Sequence, residues 1–292
     1  MNNTSKIFMC IFFIIVIALF SPSTSNHRVE STIPKQIWTY WDSDNIPIFV
    51  KDCISTWYHY NPSWKITILN NSNLQSFLPS VNILKYRHAD SPARISDFIR
   101  LHVLEKYGGV WMDATLLCST PLDWVLSFIN TDFVGYYISS YTTDAKYPII
   151  ESWFLAAPQN SPFIKDWNRE FLRMNTFDTV KDYINDLRQK HVNLQNIDLP
   201  EYLAIHCACQ RILQNPSSTY QYHVTSAEQG PYKYKYSTGP GTWDTDKGLE
   251  RLCQHPENYM MPIVKFTGWE RKRLIEHPLL ADCIIRNAKI AK

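Results

Sequence analysis

Three charged side chains recur at helical spacing within the stretch 91–115, SPARISDFIRLHVLEKYGGVWMDAT: Arg94, Asp97 and Arg100. Side chains three apart share one arc of a helix, so a carboxylate would sit between two guanidinium forks. A single acid, Asp113, then closes the apolar run Val110-Trp111-Met112, behind the pair Gly108-Gly109. Arginine binds phosphate through paired hydrogen bonds, lysine as a point charge, and an acid at a strand end can hold a hard cation. With Lys265 as a further basic candidate, the set suits a charged small molecule bridged by a metal, such as a nucleotide-diphosphate sugar. Cleaving its bond between anomeric carbon and phosphate needs charge stabilisation on the departing diphosphate more than a strong base. On that chemistry Asp113 holds the metal, Asp97 bonds sugar hydroxyls, and Arg100 and Lys265 serve the phosphates. Spacing alone equally fits plainer roles: a solvated face of i,i+3 ion pairs, a turn acid at Asp113, and core packing for Trp38 and Trp111.

The elements that must position this set can be read from the same stretch. Ser91 caps a helix with Pro92 at its first position, and Ile95, Phe98, Ile99, His102, Val103 and Tyr107 form its buried stripe. Gly108-Gly109 ends the helix, and a short strand puts Asp113 at its carboxyl end, where open α/β sheets bind ligands. Upstream, 33–41 reads as a first strand, 49–60 as a helix with Phe49, Cys53, Trp57 and Tyr60 on one stripe, and 64–69 as a second strand. Strand, helix, strand with tight connections implies a parallel α/β arrangement. Downstream, Thr120-Pro121 opens another helix, and strands cover 132–138 and 149–157 around a polar loop at the site mouth. Residues 162–174, 178–190 and 198–214 have helical spacing. Residues 217–246 are rich in Gly, Pro, Tyr and Lys without a clear period, which predicts a long loop, either disordered or a lid. Residues 261–274 read as a short strand with a basic turn behind it.

With 292 residues, 45% hydrophobic and 19% charged, the chain can bury a substantial core. Its net charge of +2 comes from scattered basic residues, so nucleic acid is not an expected partner. Aromatic residues reach 14%, which suits stacking on sugars or bases and fills cores equally well. The uncharged run 7–20, preceded by Lys6, matches the apolar segment of a secretory signal. We expect 1–26 to be a signal-anchor that places 27–292 in the ER or Golgi lumen as a single-pass type II membrane protein. Cleavage near Ser25 would instead secrete the chain. Cys10 lies in the apolar run, leaving Cys53, Cys118, Cys207, Cys209, Cys253 and Cys283 for up to three disulfides. Cys207-Ala208-Cys209 lacks zinc-site spacing, and Asn70-Asn71-Ser72 is an N-glycosylation acceptor pattern.

A run of short motifs then recurs in order: Ile33-Pro34-Lys35, Ile37-Trp38, Tyr40-Trp41, Ser55 with Trp57, Asn61-Pro62-Ser63-Trp64, Ala93-Arg94, Ser96-Asp97, Arg100-Leu101, YGGVWMDAT at 107–115, and Ser152-Trp153-Phe154. Together they make the sequence resemble the capsular polysaccharide synthesis protein family, a relative of the DXD-containing sugar transferases of glycosyltransferase family 32 and of the large clostridial glucosylating toxins. The resemblance is strong over 33–157 and diffuse afterwards. It implies a GT-A fold, α/β and Rossmann-like, with a mixed central sheet and additional helices. It further implies a nucleotide-sugar donor, UDP-linked in first place, a glycan or glycoconjugate acceptor, Mn²⁺ or Mg²⁺, and transfer with retention of anomeric configuration. By position, Trp38 would border the base, Trp111 would line the nucleotide pocket, and Arg94, Asp97 and Arg100 would contact the donor. Asp113 would be the first acid of the DXD motif, on ribose and metal, with Thr115 at the second acid's place. A threonine hydroxyl is a poorer ligand for a hard cation than a carboxylate. The family often shows Pro-Ile-His-Lys-Leu-Thr near the C-terminus, where 262–267 reads PIVKFT. The lost His implies a metal held weakly or replaced in part by Lys265. No residue is an obvious covalent nucleophile, which implies front-face transfer. A donor hydrolase and an inactive protein that keeps the nucleotide pocket are the competing expectations.

Overall fold

The structure, a computed structural model, describes residues 32–236 and 244–291. Its first half runs β1 (Gln36–Tyr40), α1 (Ile48–Tyr60), β2 (Lys65–Leu69), α2 (Leu74–Phe77), α3 (Pro92–Tyr107), β3 (Gly109–Met112), β4 (Leu116–Cys118), β5 (Phe133–Tyr137) and β6 (Ile150–Ala157). There follow α4 (Pro162–Arg173), α5 (Val180–Gln189), α6 (Ala204–Leu213), β7 (Tyr222–Ser226), α7 (Thr245–Gln254), α8 (Pro256–Tyr259), β8 (Ile263–Lys265), α9 (Gly268–Glu276) and α10 (Pro278–Ile290). The apolar run 7–20, Cys10 and Ser25 lie outside the described residues. Among the described ones, no helix is long and apolar enough to cross a membrane.

Six strands form one sheet in the order β2-β1-β3-β6-β5-β7. β1 pairs in parallel with β2 and β3, β5 pairs in parallel with β7, and β6 runs antiparallel between β3 and β5. The interior strands β3 and β6 are buried at every position, whereas the edge strand β7 alternates in and out. Burial on both faces requires a cover on each side. Trp38, Trp111 and Leu155 pack on one face with residues of α3, α4 and α6, while Ile37, Val110 and Phe154 pack on the other with Ile54 and Trp57 of α1. The expected α/β class, with a mixed central sheet and additional helices, is what forms. β4 and β8 make a separate two-stranded sheet, and a third cluster joins its Leu117 and Val264 to Phe49, Leu252 of α7 and Ile284 of α10. Trp57 Nε1 donates to the Leu116 carbonyl at 2.8 Å, fixing that small sheet against α1.

Several local expectations change. Residues 217–246 are not one long loop: 222–226 is the edge strand β7, and a 3₁₀ turn at Lys233–Lys235 carries buried Tyr234 and Lys235. The centre of the expected lid, 237–243, lies outside the described residues. After Thr120-Pro121 only a 3₁₀ helix forms, at Leu122–Ser127. The basic turn after β8 is helix α9, whose Glu270 carboxylate accepts the Thr267 N–H at 2.7 Å and pairs with buried Lys235 at 2.9 Å. Of the six candidate cysteines, Cys253 and Cys283 form one disulfide between α7 and α10, and Cys53, Cys118, Cys207 and Cys209 are buried thiols. Cys207 and Cys209 stand two apart on α6 and so point to different sides of that helix. The bridge spans a sequence separation of 30, and closing a loop of that length is worth about 3–4 kcal/mol. Cys253→Ser should therefore lower Tm by roughly 10 °C in calorimetry, and an unchanged Tm would rule out a stabilising bridge.

Candidate active site

Local sequence delivers the charged residues to one edge of the sheet. Ser91 Oγ accepts the Arg94 N–H at 3.3 Å and Pro92 takes the first helical position, which starts α3 beside the carboxyl ends of β1 and β3. The helix stops at Gly108, with φ +63°, and β3 begins at Gly109, with φ +97°. A Cβ on Gly108 would lie 2.4 Å from the Gln159 nitrogen, and one on Gly109 2.4 Å from the Gln36 oxygen, so only glycine makes this turn. Asp113 thereby lands just past β3, its N–H donating to the Trp153 carbonyl at 2.9 Å. Lys265 arrives by another route, through β8, which sets it opposite Leu116 of β4.

These residues line a cleft of about 810 Å³ together with Trp41, Glu151, His206 and Arg271, a volume suited to a small-molecule ligand. Asp113 is its electrostatic centre. Lys265 Nζ donates to Oδ2 at 2.6 Å, while Oδ1 accepts from Trp111 Nε1 at 3.1 Å and Arg100 Nη2 at 3.4 Å. Burial works to raise this carboxyl, but Lys265 and Arg100 outweigh it and hold it below the usual carboxylate range. Asp97 pairs with Arg100 Nη1 at 3.1 Å, yet there burial prevails over Arg100, Arg94 and His206 and the carboxyl is raised. Two acids of one cleft are thus pushed in opposite directions, Asp113 by its two cations and Asp97 by burial. Arg100 also donates to the Ser152 carbonyl at 2.9 Å, Ser152 Oγ at 2.6 Å and Ser96 Oγ at 2.9 Å, and lies 5.2 Å over the Trp111 ring. Arg94 Nη2 donates to the Glu201 carbonyl at 2.5 Å, while its Nη1 is buried with no partner among the described residues, a donor that a ligand could satisfy.

Arg94, Asp97, Arg100, Asp113, Thr115 and Lys265, all read from sequence as site residues, therefore meet in one cleft. Trp38 and Trp111 stand behind its wall instead. They are register partners on β1 and β3 and point together into the core under α3. Trp38 Nε1 donates to the Gly108 carbonyl at 2.9 Å, and its ring stacks on Tyr107 at 5.2 Å. The indoles that reach the cleft are the neighbouring Trp41, with Arg271 5.6 Å over its ring, and Trp153 of β6. Glu151 and His206 were not singled out by sequence. Glu151 is the one charged residue of β6, a strand buried at every position, and such a buried carboxylate is itself a signal. Its Oε2 lies 3.4 Å from His206 Nε2. Arg271 was hidden because α9 read as a turn.

The donor set does not fit a divalent cation, which needs several oxygen ligands. Asp113 is the one carboxylate at the expected position, and both of its oxygens face protein donors. Thr115 gives its hydroxyl proton to the Phe266 carbonyl at 2.7 Å, and Lys265 Nζ lies 3.4 Å from the hydroxyl oxygen. Among the described residues, no three His, Cys, Asp or Glu side chains are grouped as a metal would require.

Known proteins share parts of this chain. O-glycosyltransferase PaGT of Phomopsis amygdali is 22% identical over 169 residues, covering 52% of this chain and 41% of that protein. Inositol phosphoceramide mannosyltransferase 1 of Schizosaccharomyces pombe is 28% identical over 160 residues, covering 49% and 44%. The chain thus spans less than half the length of either relative. Among solved structures, galactosyltransferase LgtC in complex with donor and acceptor sugar analogues superposes with a TM-score of 0.47 at 12% identity, over 87% of this chain and 95% of that one. The family model described as capsular polysaccharide synthesis protein matches residues 19–232, well over half of the sequence, and the chain belongs to that family.

Proposed function

We propose that this chain is a GT-A-type glycosyltransferase that moves a sugar from a nucleotide-diphosphate donor, UDP-linked in first place, to a hydroxyl of a glycan or glycoconjugate, with retention. The observation that carries the reading is the convergence of Arg94, Arg100, Lys265 and Arg271 with Asp97 and Glu151 in one cleft at the carboxyl ends of β1 and β3. The two sequence relatives named above, an O-glycosyltransferase and a mannosyltransferase, support it. Trp41 offers the base a stacking surface, and Lys265 and Arg271 face the diphosphate. In the reaction the bond from anomeric carbon to diphosphate oxygen breaks, and its electron pair leaves with the phosphate. The acceptor oxygen bonds to the same carbon from the same face, and its proton passes to the leaving phosphate. The chain holds fixed positive charge where negative charge develops, while Asp97 and Glu151 take hydroxyl protons in hydrogen bonds and orient the sugars. We place this site in the secretory lumen, anchored through 7–20; the Cys253–Cys283 disulfide supports an oxidising compartment.

A second reading, binding without turnover, is favoured by one observation: Thr115 offers a hydroxyl where a second carboxylate would stand. Calorimetric titration of the full chain with UDP-, GDP- and CMP-sugars, followed by product analysis, separates the two. Asp97→Asn should leave donor affinity within about threefold and cut transfer by about 10²–10³-fold, since a bond to the reacting sugar tightens in the transition state. Binding by the wild type with no product selects the second reading, free sugar without acceptor selects a hydrolase, and wild-type turnover in the variant removes Asp97 from the site.

A further inference from the structure

We infer that Lys265 supplies from within the chain the positive charge that a divalent cation would bring to the donor diphosphate, so that nucleotide binding in this cleft needs no added metal. The inference rests on the nucleotide-sugar reading above.

The ammonium group stands between the two residues that would have held a metal, 2.6 Å from Asp113 Oδ2 and 3.4 Å from Thr115 Oγ1. Too few oxygen ligands are left there for a divalent cation, which needs several. Asp113 Oδ1 is shared by Trp111 and Arg100, and the Thr115 proton is committed to the Phe266 carbonyl. Of the other acids in the cleft wall, Asp97 is engaged with Arg100 and Glu151 with His206, and Asp42, just past β1, belongs to no group of three metal-ligating side chains among the described residues. A dication brought to Asp113 would also meet the charges of Lys265 and Arg100 at contact distance, and like charges that close repel strongly in a partly buried site.

Lys265 is held where this role requires it. Its N–H donates to the Pro231 carbonyl at 3.1 Å, its carbonyl accepts from Tyr234 Oη at 2.8 Å, and β8 pairs it opposite Leu116. The side chain is 8% exposed, and Nζ lies 5.9 Å over the Trp153 ring. Asp113 and Thr115 engage two of the three ammonium protons, and the residue lines the cleft, so a phosphate oxygen can take the third. Arg271, from the helix that follows β8, lines the same wall and adds a second fixed cation. Asp113 thereby changes role: it orients a lysine instead of holding a metal.

The test measures UDP and GDP binding to the full chain by titration calorimetry in excess EDTA and again in Mn²⁺, with Mn²⁺ binding to the nucleotide-free chain measured by equilibrium dialysis. The expected result is an affinity for one nucleotide that agrees within about threefold between the two conditions, and no Mn²⁺ retained by the free chain. Lys265→Met, which keeps the stem packed, should weaken that nucleotide by about tenfold or more in EDTA, and Lys265→Arg should restore most of the loss. Thermal melts of each variant show that the loss is not unfolding. Nucleotide binding that vanishes in EDTA and returns with Mn²⁺ overturns the inference and leaves the donor reading intact. Mn²⁺ retained by the free wild-type chain and lost in Asp113→Asn also overturns it. Absence of nucleotide binding in both conditions sinks the donor reading, and the inference with it.

Discussion

Asp113→Asn should reduce sugar transfer by at least about a thousandfold and lower the melting temperature of the same protein. The amide keeps the shape of the carboxylate but removes the charge that both Lys265 and Arg100 face. Those two side chains are 8% and 6% exposed, so after the change two nearly buried cations confront a neutral group. Breaking a buried ion pair costs about 3–5 kcal/mol; with Asp113 itself 26% exposed, about 2–3 kcal/mol is the better expectation. That is a fall in Tm of roughly 5–10 °C for a chain of this size. A carboxyl held low in the fold adds stability above its unfolded value, and that stability is lost as acid protonates the folded group, below the usual carboxylate range. Asp113→Asn should remove that part of the acid sensitivity. A variant as active or as heat-stable as the wild type would show that Asp113 is not the centre of the site.

Arg100→Ala should be the more damaging change for stability, by about 3–5 kcal/mol or roughly 10 °C in Tm. A basic residue on a charged helix arc looks like a solvated ligand for phosphate, whose loss would weaken donor binding alone. In the fold Arg100 is 5% exposed, and its guanidinium ties α3 through Ser96 and Asp97 to β6 through Ser152 and to Asp113 past the end of β3. Alanine leaves Asp97 and the Ser152 carbonyl without this donor, and unmet buried groups are what make such truncations expensive. Arg100→Lys keeps the charge but not the fork that reaches these partners together, so it should fall between the two. Calorimetry paired with nucleotide titration separates the effects. An unchanged Tm with weakened donor binding would mean that Arg100 is a ligand and not a structural hub.

Much of the frame was readable because local rules and tertiary demands agree there. Ser91-Pro92 and Gly108-Gly109 bracket α3 as capping chemistry dictates, and the apolar runs at 132–138 and 149–157 became β5 and β6. What was missed lies where a weak local signal depends on distant partners. β7 is five residues long and gains its identity from pairing with β5; its alternation of Tyr222, Val224 and Ser226 inward with His223 and Thr225 outward is visible only once 217–246 is divided. α9 depends on the Glu270 carboxylate taking the Thr267 N–H and on buried Lys235, and no periodicity in 268–276 announces that. Trp38 and Trp41 differ by three positions on one strand and its exit, so a half-period of β-structure decides which indole faces the core and which the cleft. Glu151 and His206 come from β6 and α6, elements far apart in sequence, and only the tertiary fold brings them into the cleft that Asp113 and Lys265 line.

The most direct measurement is release of nucleotide from a panel of UDP-, GDP- and CMP-sugars by the full chain, with and without glycan acceptors, alongside Asp113→Asn. A nucleotide-sugar site in this cleft predicts saturable consumption of one donor class by the wild type, stimulated by acceptor and absent from the variant. A folded wild-type chain that neither binds nor consumes any of these donors, or a variant that consumes them equally well, would contradict it.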